Sequence, residues 1–147
     1  AGNELYVSGD FSGAIAKYTE ALSMPAPLEK REGHILYANR AACYLKILAF
    51  DQVVEDCNRS LELQADYVKA FARRSEAYQG LEKLDEAYKD CQTALELAKS
   101  QMSPMVRELE VRCARLKADV EAKFERDKDE MLGAVFFHEF SCANQYV

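Results

Sequence analysis

Basic residues are the minority in this chain. Nineteen Lys and Arg stand against 25 Asp and Glu, a net charge of −6 over 147 residues. No part of the chain holds the cationic surplus that neutralising a phosphate backbone requires, which argues against a nucleic-acid partner. Long uncharged stretches are also missing, and none approaches the roughly 20 residues of a membrane-spanning helix. The opening AGNELYVSGD has neither the basic flank nor the apolar run of a signal peptide, and its abrupt start suggests a fragment. Paired cysteines are lacking too. The five (Cys43, Cys57, Cys91, Cys113 and Cys142) include no CxxC, and an odd number fits reduced thiols and a cytoplasmic location. Catalytic signatures are absent: there is no GxSxG, HExxH or GxxxxGK[ST]. His34 and His138 have no ligand partner at metal-binding spacing, and Gly9 with Gly13 makes no phosphate loop. The expectation is a protein that is not an enzyme and binds neither metal nor cofactor.

What the chain does contain is an internal repeat. EDCNRSLEL (55–63) aligns with KDCQTALEL (89–97) at an offset of 34, and AIAKYTEALSM (14–24) fits the same frame at an offset of 39. Upstream of each lies a matching unit: GNELYVSGDFSGA, AACYLKILAFDQV and SEAYQGLEKLDEA. Phe11, Phe50 and Leu84 are equivalent in these three units. The five extra residues fall around MPAPLEK (24–30), where two prolines mark a loop that tolerates insertion. Apolar residues recur at helical spacing within each unit, as in Tyr37, Ala41, Tyr44 and Leu45 and then Val53, Val54, Cys57 and Leu61. Each unit therefore reads as two helices. Small residues recur where two antiparallel helices must approach, at Gly2, Ala41 and Ser75 and at Ala14, Val53 and Ala87. A single pair cannot bury its own apolar face, so stacked pairs share a core. Cys57 and Cys91 hold equivalent core-facing positions and read as small buried hydrophobes.

The period, the two-helix unit and the small-residue spacing resemble the tetratricopeptide repeat over residues 1 to about 100. The resemblance implies an all-α fold: a right-handed superhelical stack of three repeats (1–25, 34–66 and 68–101, the first truncated) filling residues 1–102. The chain departs from the pattern in lacking Trp and the proline that closes each repeat. An extended C-terminal capping helix is expected over 103–133, with Ser103 as N-cap, Pro104 in the first turn and Gly133 as C-cap. Val106, Leu109, Cys113, Leu116 and Val120 form its apolar stripe, with Phe124 closing it. The distal part, ERDKDE, projects into solvent or meets a partner. Residues 134–147 make an apolar tail that contains Phe136, Phe137, Phe140 and Tyr146. They fold back on the stack, self-associate, or are a non-native extension.

Three cations in DYVKAFARRSEAY (66–78) remain. Lys69 and Arg73 are four residues apart on one helix face, whereas Arg74 lies about 100° further round. Asn39 is the repeat equivalent of Arg73, so both point into one groove, with Lys69 a turn away and Asn3 on the same concave side. Local pairing of Arg73 with Glu76 and of Lys69 with Asp66 is the competing reading. A donor set with net positive charge suits a carboxylate. GN (2–3), NRAACY (39–44) and KAFARR (69–74) resemble the two-carboxylate clamp of chaperone-binding tetratricopeptide domains. That resemblance implies that Asn3, Asn39, Lys69 and Arg73 hold the final carboxylates of a peptide ending in Glu-Glu-Val-Asp. The partner would be the C-terminal peptide of heat-shock chaperones of the 70- and 90-kDa classes. A fifth clamp position, a lysine four residues before Asn3, falls before Ala1. EAKFERDKDEMLG is similar to the extended last helix of a small cytosolic adaptor of this family. The implied function is that of a co-chaperone or adaptor. The alternatives are the repeat domain of a larger immunophilin or phosphatase, or a general adaptor for other acidic peptides.

Overall fold

The computed structural model describes residues 1–25, 27 and 32–143, with side chains through Val135. The described residues form seven α-helices: α1 Gly2–Ser8, α2 Phe11–Leu22, α3 Gly33–Lys46, α4 Phe50–Leu63, α5 Val68–Gly80, α6 Leu84–Ser100 and α7 Val106–Ala143. Phe11, Phe50 and Leu84, matched by the repeat frame, each open the second helix of a pair. Most of the expected loop at 24–30 lies outside the described residues.

The turn inside each pair is the same device three times. Gly9, Leu48 and Glu82 hold equivalent positions and all adopt left-handed backbone, with φ of 85°, 58° and 59°. The next residue in each case donates its N–H five residues back, Asp10 to Leu5, Ala49 to Tyr44 and Lys83 to Tyr78, each at 2.9 Å. This closes the helix end by satisfying carbonyls that have no helical partner. Only the first turn uses the residue that takes this conformation without strain. Asp10 then caps α2 by accepting from the Gly13 N–H at 2.8 Å.

Successive helices pack on one another, and α3 also meets α5, so first helices line up across repeats. The contacts are made by small residues. Ala14, Ala38, Ala41, Ala70, Ala77, Ala87, Ala94 and Ala98 have no exposed surface, and neither have Cys43, Cys57 and Cys91. Alanine lets backbones approach where leucine would hold them apart, and the hydroxyls of the interior bridge what remains. Ser60 Oγ donates to the His34 carbonyl at 2.8 Å, joining α4 to α3. Ser75 Oγ donates to the Ala87 carbonyl at 2.6 Å, joining α5 to α6. Gly80 is needed for close approach, because a Cβ there would stand 2.3 Å from the Phe50 ring of the preceding repeat. Burial pushes the Cys57 thiol up to about 12, which keeps it protonated and unreactive.

Each of the later repeats also holds a buried ion pair that sequence reasoning missed. Arg40 on α3 grips Asp56 on α4 through two bonds of 2.8 and 2.7 Å, and its remaining arm reaches Thr19 on α2 at 2.9 Å. Thirty-four residues on, Arg74 grips Asp90 at 2.6 and 2.8 Å and reaches Asn58 at 2.6 Å. One guanidinium thus ties its own pair together and ties that pair to the repeat before. Burial pushes the Asp56 carboxyl up while Arg40 pulls it down, and the Asp56 hydrogen bonds raise Arg40. The arginines are fully charged in either case.

The last helix differs from expectation at both ends. Ser103 Oγ accepts from the Met105 N–H at 3.3 Å, but the helix proper starts at Val106. It does not stop at Gly133 and runs on to Ala143. A glycine inside a helix costs about 1 kcal/mol relative to alanine, and no packed chain meets Gly133 to turn the backbone away. Leu109, Cys113 and Leu116 seal the end of the stack against Val68, Ala72 and Cys91. The Cys113 and Cys91 sulfurs approach to 2.7 Å as free thiols. Phe124 does not close the stripe. It lies beyond the stack and is 67% exposed. The side chains of Phe136, Phe137 and Phe140, and residue Tyr146, fall outside the described residues.

Candidate functional site

The first helices of the three pairs line one groove. Asn3 and Tyr6 from α1, Tyr18 from α2, Asn39 and Ala42 from α3, and Arg73 from α5 surround a pocket of about 210 Å³. Three of the four expected site residues therefore meet in it. Among the described residues no carboxylate lines it, so Arg73 sets its charge.

Asn3 and Arg73 are each oriented by a neighbour. The Tyr18 hydroxyl donates to Asn3 Oδ1, and Asn39 Nδ2 donates to the same oxygen at 3.5 Å. With the Asn3 oxygen occupied from two sides, its amide N–H₂ is the group left to serve a ligand acceptor. Arg73 reaches back across the groove and donates to the Ala38 carbonyl, the residue before Asn39, at 2.6 Å. One arm of the fork is thus anchored on α3, and the others face the pocket. Burial raises the Tyr18 phenol above its ordinary value, so it stays a neutral donor. Tyr18 lies within the repeat unit AIAKYTEALSM, and nothing in that pattern shows its role in aiming Asn3.

Lys69 stands apart. It lies one turn before Arg73 on α5, is exposed, and makes no ion pair or hydrogen bond among the described residues. Local neutralisation of the cations does not occur either. Asp66 accepts from Gln64, and Glu76 lies 3.7 Å from Arg112, so neither acid pairs with Lys69 or Arg73. Arg74, expected off the groove face, is committed to Asp90.

The groove continues past Arg73. A second hollow of about 370 Å³ is lined by Leu45, Lys46, Leu48 and Glu76 together with Tyr6, Ala42 and Arg73. Lys46 adds a second positive charge along the floor, and repeat alignment alone did not single it out. Beyond Glu76, Arg112 of α7 donates to the Ala72 carbonyl at 3.1 Å. That is the contact Arg73 makes with Ala38, one helix further on, so α7 occupies the place of a fourth first helix.

Among the described residues, no group of three or more His, Cys, Asp or Glu side chains is arranged to hold a metal ion. No helix among them is long and apolar enough to cross a membrane.

Known structures share this fold. The second TPR domain of human RPAP3, solved in complex with the HSP70 peptide SGPTIEEVD, superposes with a TM-score of 0.66 at 33% identity over 79% of this chain and 88% of that one. The Arabidopsis OM64 TPR domain superposes with a TM-score of 0.69 at 30% identity over 80% of this chain and 88% of its own. Among curated proteins, the heat shock protein sti1 homolog of Schizosaccharomyces pombe is 44% identical over 72 residues, 49% of this chain and 11% of that protein. The chain thus spans about a tenth of the length of the curated relatives it matches. No family model matches the chain.

Proposed function

The chain belongs to the tetratricopeptide repeat domains of the chaperone-binding type, and on that premise we propose that its groove holds the free C-terminus of an acidic peptide. The peptide is the Glu-Glu-Val-Asp end of a heat-shock chaperone of the 70- or 90-kDa class, and the domain serves as a co-chaperone or adaptor module. The observation that carries this reading is the convergence of Asn3, Asn39 and Arg73 on a pocket without a carboxylate. The final residue of such a peptide brings two carboxylates, one on the main chain and one on the side chain. The free arm of Arg73 pairs with one of them, and the outward amides of Asn3 and Asn39 donate to the oxygens left over. Lys69, exposed and without a partner among the described residues, swings in as the second cation. The residues before the terminus lie extended along the hollow toward Lys46. The peptide loses its freedom on binding, and few of its groups are deeply buried, so affinity is in the micromolar range and falls with added salt. Chemistry on the peptide has no place in this scheme, which is one of recognition alone.

Titration of fluorescently labelled Ile-Glu-Glu-Val-Asp with a free C-terminus, and of the same peptide as its C-terminal amide, tests the reading. The free acid binds and the amide binds at least about tenfold more weakly, since one charge-assisted contact is lost. Equal affinity for the two removes the clamp.

A further inference from the structure

We propose that the distal part of α7 is a self-association surface, on which a second copy of this chain lays its own α7 antiparallel. The face that seals the stack does not end with the stack. Around the helix, Val120, Met131 and Val135 lie within about 40° of both Phe124 and Cys113. The stripe that is buried at Leu109, Cys113 and Leu116 therefore runs on through half-buried Val120 and then through exposed residues. Phe124 is 67% exposed, Met131 72% and Val135 57%. A helix held only at one end gains nothing from its free length, and isolated segments of this size are marginal in water. A covering partner turns that exposed face into a continuation of the core.

Charge decides which partner. Glu121 and Lys128 flank the stripe on one side and Lys123 and Glu130 on the other, while Asp127 stands in line with Leu109, at the edge of the stripe itself. Place two copies antiparallel about an axis between residues 125 and 126. Val120 then faces the partner's Met131, Glu121 falls beside the partner's Lys128, and Lys123 falls beside the partner's Asp127 and Glu130. Symmetry makes each of these contacts twice. A parallel pair instead sets Lys123 beside the partner's Lys128 and loses every match. Among the described residues, loose pairs along the helix engage these flanks, Lys117 with Glu121 at 3.9 Å and Lys128 with Glu125 at 3.4 Å. The facing segments, 120–131, span roughly 18 Å. An interface of that size is small, so the dimer forms at a Kd on the order of tens of micromolar.

Sedimentation velocity on the full chain over about a hundredfold range of concentration reads this directly. The expected result is a monomer that becomes a dimer as concentration rises. Phe124→Glu abolishes the dimer. Lys123→Glu and Glu130→Lys each weaken it about tenfold or more, and an equimolar mixture of those two variants restores it, because each supplies the charge the other now needs. The mixture holds the test open if Phe124→Glu disturbs the helix by itself. A chain that stays monomeric throughout overturns the proposal and leaves the stripe to a different protein. A dimer indifferent to all three substitutions, or two single variants that fail to recover on mixing, overturns it equally.

Discussion

In the second repeat Arg40 grips Asp56 and reaches Thr19, and in the third Arg74 grips Asp90 and reaches Asn58; at the corresponding positions of the first repeat stand Ala1 and Lys17. Lys17 turns outward to a surface pair with Glu20. The first helix of that repeat, α1, has no buried residue at all. The repeats are equal in topology and unequal in fastening. Solenoid stability is local, with each unit held by its own packing and its neighbours, so such inequality translates into a gradient of opening along the stack. The candidate site straddles that gradient. Arg73 and Asn39 stand on fastened helices, whereas Asn3 stands on the loosest one.

Removing the fastening is the strongest way to break this contrast. Arg74→Ala leaves Asp90 buried without its partner and lowers stability by about 3–5 kcal/mol in urea unfolding. Arg40→Ala acts likewise on Asp56, with a pH signature. The Asp56 carboxyl, already pushed up by burial, loses its one opposing cation, so its folded pKa stands above its unfolded value. Stability tied to such a group is fully present at low pH and is lost as pH rises through the folded pKa. The deficit of Arg40→Ala against the native chain is therefore larger at pH 7.5 than at about pH 4.5. A deficit that grows on acidification would show that Asp56 was not the group left stranded.

Next in size is the effect on binding. Arg73→Ala weakens the free-acid peptide by about 2–4 kcal/mol, roughly 30- to 1,000-fold in Kd. Asn3→Ala, on the loose helix, weakens it by about 0.5–1.5 kcal/mol, the range of a neutral hydrogen bond. Equal losses for the two in the same fluorescence titration would erase the distinction between firm and soft halves of the site. Smaller still is a gain. Glu82 and Leu48 hold the strained turn conformation that Gly9 holds at no cost, and Glu82→Gly raises stability by roughly 0.5–1 kcal/mol in chemical unfolding. At the far end of the scale, Lys17→Ala leaves the melting temperature unchanged, since a solvated pair contributes little. A measurable drop there would mean the first repeat has a fastening of its own.

Much of this architecture is legible in the sequence. Phe11, Phe50 and Leu84 mark helix starts, because a repeat frame aligns turns as well as apolar faces. Asn39 and Arg73 share a groove because residues 34 apart stack one helix over. The ionic staples escaped notice because Arg40 and Asp56 are 16 residues apart on different helices, and no local pattern shows which way an arginine turns. Arg73 and Arg74 are separable in the sequence because they stand about 100° apart on one helix, although nothing in it shows that Asp90 holds the second. Gly133 misled for a different reason. A glycine stops a helix only where the chain has somewhere else to go, and on a solvent-exposed rod it has nowhere. The stance of Lys69 was likewise illegible, since a long cation without a partner has no fixed direction for a sequence to encode.

The contact between Arg112 and the Ala72 carbonyl bears on how such a chain can grow. What α7 grips is a main-chain atom that α5 offers at the same place where α3 offers Ala38 to Arg73. The terminator therefore reads position and not identity. Duplicating residues 68–101 ahead of α7 should lengthen the array by one whole unit while leaving the terminator a valid seat, and the same indifference would let an ancestral gene gain or lose repeats without redesigning its end.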